Sequence, residues 1–330
     1  MSINFGLRID KMKYIKQINQ IVISKKKILG IKEDIRSIKI SILGIGENNQ
    51  NFLISVNDKF KFVFRIALRS SSKSNTRKEF NSLKRIPKGV GPVPIYIDDS
   101  HKTIDEPYSI LSYIEGNHVK KWTDKRLKLH ATKLAKLHQK RFTRHSRGKT
   151  FSLYNRLLNE IKGYTSKEFN NKNIKLLMPL VKEFIKSNDR IFTELKSFSR
   201  VHTDLCLTNI LINNNDLFYI DWEYSMIEDN AYDISKLYFT DIAVSPWSIK
   251  LNKIKERIFI NQYLKQIKFK DNTLRKRVHL WHIYILFTDS LYCKWKLNNY
   301  SNEKAAFPKK VYQKSLDFMI GSLKKKLIKN

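Results

Sequence analysis

Acidic residues are scarce in this chain and cysteine is almost missing. The 330 residues include two cysteines, Cys206 and Cys293. That number excludes a disulfide framework, and the pair is too far apart to form a CxxC zinc motif. No stretch is apolar for long enough to span a bilayer: "WHIYILF", among the longest, falls far short. The N-terminus, "MSINFGLRIDKMKYIK", has no apolar signal core and is broken by charge every few residues, which points to a cytoplasmic protein. There is no internal repeat and no low-complexity linker. Asp and Glu number 30 against 64 Lys and Arg, a formal charge of +34. Such an excess suits a nucleic acid or an anionic membrane. The lysines, however, are spread along the whole chain among Ile and Asn, and no groove-reading motif accompanies them. The pattern favours a solvated basic surface with no specific nucleic-acid partner and no transmembrane segment. Nothing in the sequence bears on oligomeric state.

Hydrophobic residues make up 42% of the chain, enough for a sizeable core in one large domain or two lobes. Residues 8–29 read as a very basic helix, within an N-terminal segment over 1–34. From Ile35 the texture changes. "IRSIKISIL", "NFLISV" and "KFKFVFRIAL" are rich in Ile, Val and Phe and are separated by "GIGENNQ" and by Asn57-Asp58, the marks of strands and hairpins. A helix is expected over Ser74–Ile86, with Phe80 and Leu83 on one face, and two further strands in "VGPVPIYIDD" and "PYSILSYIEG". Beyond Gly116 helical spacing takes over. Leu127, Ala131, Leu134 and His138 form one stripe, and helices are expected around 154–163, 172–198, 251–268, 274–297 and 311–328. The expected fold class is therefore α+β, with a small, mainly β lobe over 35–115 and a larger, mainly α lobe over 116–330.

One β element is embedded in the helical part. In "RVHTDLCLTNILINNNDLFYIDWEY", "NILI" and "LFYI" flank Asn213-Asn214-Asn215-Asp216, a hairpin turn by composition. Asp204 and Asn209 lie before the first strand and Asp221 just after the second, so the hairpin draws the three together. Asp and Asn also cap ordinary turns, but this set has the order that phosphoryl transfer from ATP requires. One carboxylate orients the attacking hydroxyl and accepts its proton, while an amide oxygen and a second carboxylate hold Mg²⁺ against the phosphates. The same chemistry asks for a glycine-bearing turn over the phosphates, supplied by Gly44 and Gly46 in "LGIGENNQ". It also asks for a basic side chain on a following strand. Arg65 is a lone charge in "FVFRIAL": either it sits on an edge strand facing water, or it is buried and needs a partner, for which Glu79 in the next helix is the candidate.

With these residues in place, the sequence resembles the aminoglycoside phosphotransferase and choline kinase superfamily of small-molecule kinases, which have a two-lobed, protein-kinase-like fold. "HTDLCLTNIL" and "YIDWEY" are similar to that family's catalytic segment and metal loop, and "GPVPIYIDDS", "PYSILSYIEG" and "LAKLH" to the segments leading into the large lobe. The resemblance implies ATP and Mg²⁺ as cofactors and a small-molecule acceptor. Residue by residue, it implies Asp204 as base, His202 as a brace of the catalytic loop, Asn209 and Asp221 as Mg²⁺ ligands, and Arg65 with Glu79 on the ATP phosphates. Residues 110–114 (Ile110, Ser112 and Ile114 among them) would hold adenine through backbone groups. Arg on the phosphate strand and "IDWEYS" resemble the choline and ethanolamine kinase branch. For an ammonium-bearing acceptor the candidates are Glu223, Asp241 and Asp289, with Tyr292 and Trp295 as an aromatic wall and Trp281 on the same late helix; core packing of those aromatics is the alternative. Cys206 stands where eukaryotic choline kinases have Gln, and Thr240 stands where they have an acidic residue, with Asp241 adjacent. Aminoglycoside, homoserine and sugar acceptors stay open, as does a catalytically inactive kinase-like binding protein.

Overall fold

A computed structural model of the chain describes residues 11–45, 49–68, 70–143, 151–213, 215–237, 251–301 and 307–328. It divides into two units. The first comprises the chain up to Gly116 together with Phe218–Tyr224, and the second contains Asn117–Leu217, Ser225–Ser301 and the chain from Phe307.

In the first unit α1 (Lys11–Ser24) precedes three antiparallel strands, β1 (Ile38–Ile45), β2 (Asn49–Val56) and β3 (Phe60–Ala67). Then come α2 (Ser70–Leu83), β4 (Pro94–Asp98) and β5 (Tyr108–Ser112). The five strands form one sheet in the order β1-β2-β3-β5-β4. Asn57 and Asp58 both take left-handed backbone, with φ of 53° and 54°, as the tight turn between β2 and β3 requires. Helix α2 starts at Ser70 and not at Ser74, because no Gly or Pro interrupts the intervening residues. The basic α1 is not a free arm. Tyr14, Ile18, Ile21 and Val22, at helical spacing, bury themselves against Phe52, Ile54, Phe62 and Phe64 of the sheet.

The second unit opens with β6 (Asn117–His118), α3 (Asp124–His138) and β7 (Arg141–Thr143). Helices α4 (Leu153–Lys162), α5 (Ser166–Phe169), α6 (Lys172–Asn188) and α7 (Arg190–Thr193) follow. Next are β8 (Ser197–Val201), β9 (Ile210–Asn213), β10 (Asp216–Tyr219) and β11 (Met226–Glu228), and then α8 (Ala231–Leu237), α9 (Lys253–Gln266), α10 (Leu274–Asn298) and α11 (Lys309–Leu327). Thr123 caps α3 by accepting the Arg126 N–H, and the stripe Leu127, Ala131, Leu134 and His138 is buried. The long α10 is buried on most of its faces, as an interior helix must be.

The helix expected over 172–198 stops at Asn188. "SFSRV" instead becomes β8, bonded on one side to β7 and on the other to β11. That alternating Ser-Phe-Ser-Arg-Val segment gains two strand partners from distant sequence, which outweighs local helical spacing. The hairpin β9–β10 forms as expected and orders as β10-β9-β6. The chain passes from the second unit to the first within β10 and returns after Tyr224. No helix among the described residues is long and apolar enough to cross a membrane.

Candidate active site

Arg65 lies on β3, which is flanked by β2 and β5, so it is no edge-strand charge. Its side chain is 10% exposed, and its Nε lies 2.9 Å from Glu79 Oε2. Its Nη2 lies 2.5 Å from Asp221 Oδ1. Burial alone would disfavour the guanidinium charge. Glu79, Asp221 and Glu223 outweigh it and hold the group protonated. Glu79 sits among the same charges. Burial pushes its carboxyl up, Arg65 pulls it down, and Asp221 and Glu223 push it up again, to about 7.

The second Glu79 oxygen, Oε1, accepts the main-chain N–H of Trp222 at 3.1 Å. That bond helps fix Asp221, whose φ of 67° is unusual for a residue with a side chain. Trp222 is fully buried, and its indole N–H donates to the Tyr219 carbonyl at 2.8 Å. Tyr219 N–H in turn donates to the Val90 carbonyl at 2.8 Å. Gly91 completes the clamp: a Cβ there would stand 2.7 Å from Trp222 Nε1 and 2.9 Å from the Tyr219 carbonyl oxygen, so no other residue fits without displacement. Asp221 keeps one carboxylate oxygen without a hydrogen-bond partner among the described residues.

Other expected residues of the first unit are placed as follows. Glu223 is buried, with Asn49 Nδ2 at 3.4 Å from Oε2, and belongs to the Arg65 cluster. Gly44 follows a bulge in β1 and has no protein atom within 4 Å of the place a Cβ would take, while Gly46 lies outside the described residues. Ile110 is locked in the ladder between β3 and β4. The Ser112 N–H is already taken by the Val93 carbonyl at 2.9 Å. Ile114 follows β5, and its main chain has no hydrogen bond among the described residues.

The second unit holds the loop after β8. Asn209 Nδ2 donates to the Asp204 main-chain oxygen and to its Oδ2, both at 2.9 Å. Because the amide nitrogen has two acceptors, its orientation is settled and the amide oxygen is turned to the other side, with no partner among the described residues. His202 is fully buried and accepts the Asp204 N–H at Nδ1, 3.3 Å away. Beneath the loop lies a residue that the sequence did not single out. Asp233, near the start of α8, accepts the His202 and Thr203 N–H groups at 2.8 Å each and His138 Nε2 at 3.1 Å. Burial would raise its carboxyl, but the bonds and charges of His138 and His202 prevail and hold it below the usual carboxylate range. The anchorage sustains an unusual backbone: Thr203 is β-branched and has φ of 73°, a conformation that costs on the order of 1–3 kcal/mol and is found where surroundings over-determine it.

Among the acceptor candidates, Asp289 on α10 pairs with Lys236 of α8 at 3.6 Å. Burial, and to a lesser degree the charge of Asp204, raise its carboxyl against the pull of Lys236. Tyr292 and Trp295 stack on one another at 6.3 Å, and Lys296 covers both rings at 5.3 and 5.6 Å, so the expected aromatic wall already carries a cation. Trp281 is a core residue, fully buried with its indole N–H on Asp229 at 2.8 Å. Asp241 lies outside the described residues. Beside Asp289, then, stands a cation, Lys236, to which the sequence did not point. No signal marks that residue, one lysine among many. The signal for Asp233 was weak as well, an acid in the first turn of a short helix.

Among the described residues no three His, Cys, Asp or Glu side chains converge as a metal site. Mg²⁺ seated on phosphates asks less of a protein, one or two oxygen donors, and each unit offers one by itself: an Asp221 carboxylate oxygen in the first and the Asn209 amide oxygen in the second.

Residues 39–263 match the model of the phosphotransferase enzyme family. A protein of Metamycoplasma hominis described as a LicA homolog is 27% identical over 123 residues, 35% of this chain and 46% of that protein. The match therefore spans less than half the length of that relative. Among solved structures, choline kinase from Cryptosporidium parvum superposes with a TM-score of 0.61 at 20% identity, over 94% of this chain and 96% of that one. Aminoglycoside phosphotransferase APH(4)-Ia gives 0.61 at 13% identity, over 93% and 99%. At such identities the likeness speaks for the fold, which is protein-kinase-like. The family match covers most of the chain, and the chain belongs to the phosphotransferase enzyme family.

Proposed function

We propose that this member of the phosphotransferase enzyme family moves the γ-phosphate of ATP, with Mg²⁺, to a hydroxyl of a small amine-bearing acceptor such as choline or ethanolamine. The observation that carries the reading is the Asp204–Asn209 pair, a carboxylate held from one side by an amide whose own oxygen stays available. Asp204 receives the proton of the acceptor hydroxyl, Asn209 and His202 hold it in place, and Asp233 holds the loop. Arg65, kept charged and oriented by Glu79, binds phosphate oxygens. Asn209 of the second unit and Asp221 of the first are the residues that would offer an oxygen to Mg²⁺, and the ion, when bound, would supply neutralisation of phosphate charge. Main-chain groups around Ile114 take the adenine edge, since the Ser112 N–H is occupied. Little covalent chemistry is asked of the protein, so positioning supplies most of the rate.

The amine is supported by carboxylates. Asp289 stands within the field of Asp204, and so does the largely buried Tyr232. A choline kinase and an aminoglycoside phosphotransferase, both named for amine-bearing alcohols, share the fold. The test is ATP turnover against choline, ethanolamine, homoserine, hexosamines and aminoglycosides, with Asp204→Ala as the blank. Turnover above that blank with choline or ethanolamine is expected. Turnover confined to a sugar or an aminoglycoside would redirect the acceptor assignment, and none with any alcohol would leave a kinase-like binding protein.

A further inference from the structure

Tyr232 and Lys236 stand one turn apart on α8, so their side chains leave the same face of the helix. The Lys236 ammonium lies 5.8 Å from the centre of the Tyr232 ring and 3.6 Å from Asp289 Oδ2 on α10. The lysine side chain is 15% exposed and the aspartate 37%, so neither is sealed in the core and neither stands in open water. Helix α8 is fastened to the loop of Asp204 by the two Asp233 oxygens on the His202 and Thr203 N–H groups. The charge of Asp204 is felt at Tyr232, Lys236 and Asp289 alike.

Three other acids of the second unit are matched as well, while Glu160, whose charge reaches Tyr164 together with that of Asp289, forms no ion pair among the described residues. Glu228 holds Arg156 at 2.5 Å, and Asp229 and Asp271 share Arg277 at 3.0 and 2.8 Å. An incoming acceptor therefore meets Asp289 with a cation already on it. Burial would favour a neutral Lys236, but Asp289, Tyr232 and Asp204 outweigh it and the ammonium keeps its proton.

We propose that Lys236 is a charge filter for the acceptor: beside Asp289 it leaves room for one ammonium and repels the further ammoniums of a polycationic alcohol. This rests on Asp204 being the base that receives the acceptor hydroxyl. A single ammonium approaches the exposed side of the Asp289 carboxylate and keeps away from Lys236. A polyamine carries charges on several sides, and at least one is driven towards the lysine. Water and salt screen poorly in such a half-buried place, so the repulsion is felt in affinity.

The experiment compares the full-length protein with Lys236→Met and Lys236→Arg. Equilibrium binding of choline, hygromycin B and streptomycin is measured on the ADP-loaded proteins, alongside turnover of choline and ethanolamine. Lys236→Met should improve the affinity for the two polycations relative to choline by at least about tenfold, and added salt should narrow the gap. Lys236→Arg, which keeps the charge, should keep the wild-type ratio. A ratio that Lys236→Met leaves unchanged overturns the filter, as does a ratio that Lys236→Arg shifts just as far. If the Met variant does not fold, Lys236→Gln removes the same charge and is read the same way. Failure of the wild type to turn over any amine-bearing alcohol would count against the proposed function, while the binding ratio still decides the role of Lys236.

Discussion

Glu79 accepts the Trp222 main-chain N–H with Oε1 at 3.1 Å while its Oε2 holds Arg65 at 2.9 Å. One carboxylate thereby sets both the guanidinium and the backbone that carries Asp221. Glu79→Ala should weaken ATP binding more than Glu79→Gln, which keeps an acceptor for Trp222. Arg65→Lys should also lose about tenfold or more, because a point ammonium cannot reach two carboxylates as a planar fork does. Calorimetric titration with nucleotide checks the order; equal losses in both Glu79 variants would remove the backbone bond from the argument.

The same carboxyl gives the protein a pH signature. Folding raises Glu79 from 4.5 to about 7, so the folded state binds its proton more tightly than the unfolded one. The resulting stability is full below the unfolded value and is lost as pH rises through about 7. Asp233 has the opposite sign. Its depressed carboxyl contributes stability above the ordinary carboxylate range, lost as pH falls through its folded value. The Tm of the nucleotide-free protein should therefore decline between about pH 5 and about pH 8 less steeply in Glu79→Gln than in the wild type. Identical slopes would contradict the shift.

For the chemistry, Asp204→Ala should lower kcat by about a hundredfold to ten-thousandfold while ATP still binds, since the base we propose acts on the acceptor hydroxyl and not on the nucleotide. Asp221→Ala should impair Mg²⁺-ATP binding as well. Wild-type turnover in Asp204→Ala would exclude it as the base.

The anchor under the loop should register in stability. Asp233→Ala strands two buried N–H groups and removes the partner of His138, at a cost of about 3 kcal/mol. Urea unfolding measures this directly. A loss under about 0.5 kcal/mol, as for an ordinary surface site, would show that the loop holds itself.

The hairpin around Asp204 and Asp221 was legible because its residues are neighbours in sequence and their chemistry is specific. Arg65 was legible for a different reason: a charge inside an apolar strand demands a partner, and Glu79 was the nearest acid on the next helix. Strand β8 was not, because β7 lies 56 residues from it at the Arg141–Ser197 contact and helical spacing upstream runs into it. Asp233 reaches N–H groups about thirty residues earlier in the chain, a relation that no local pattern encodes. Trp281 fits a helical stripe with Asp289, but period alone does not distinguish a core face from a binding face. Lys236 is hidden by abundance: in a chain with 64 basic residues, one more carries no information until its neighbours are known.

The excursion of Phe218–Tyr224 into the first unit also bears on synthesis. When Gly116 leaves the ribosome, the first unit has its sheet but lacks Tyr219, Asp221 and Trp222. Glu79 then has no Trp222 to receive, Arg65 has one carboxylate where it will have two, and the space beside Gly91 has nothing to fill it. Roughly a hundred more residues must emerge before the missing segment arrives, about 5–20 s at ordinary elongation rates. The amino-terminal third is born unfinished, and a gene cut after residue 116 would yield a fragment that keeps its apolar core but leaves Arg65 and Glu79 without Asp221 and Trp222.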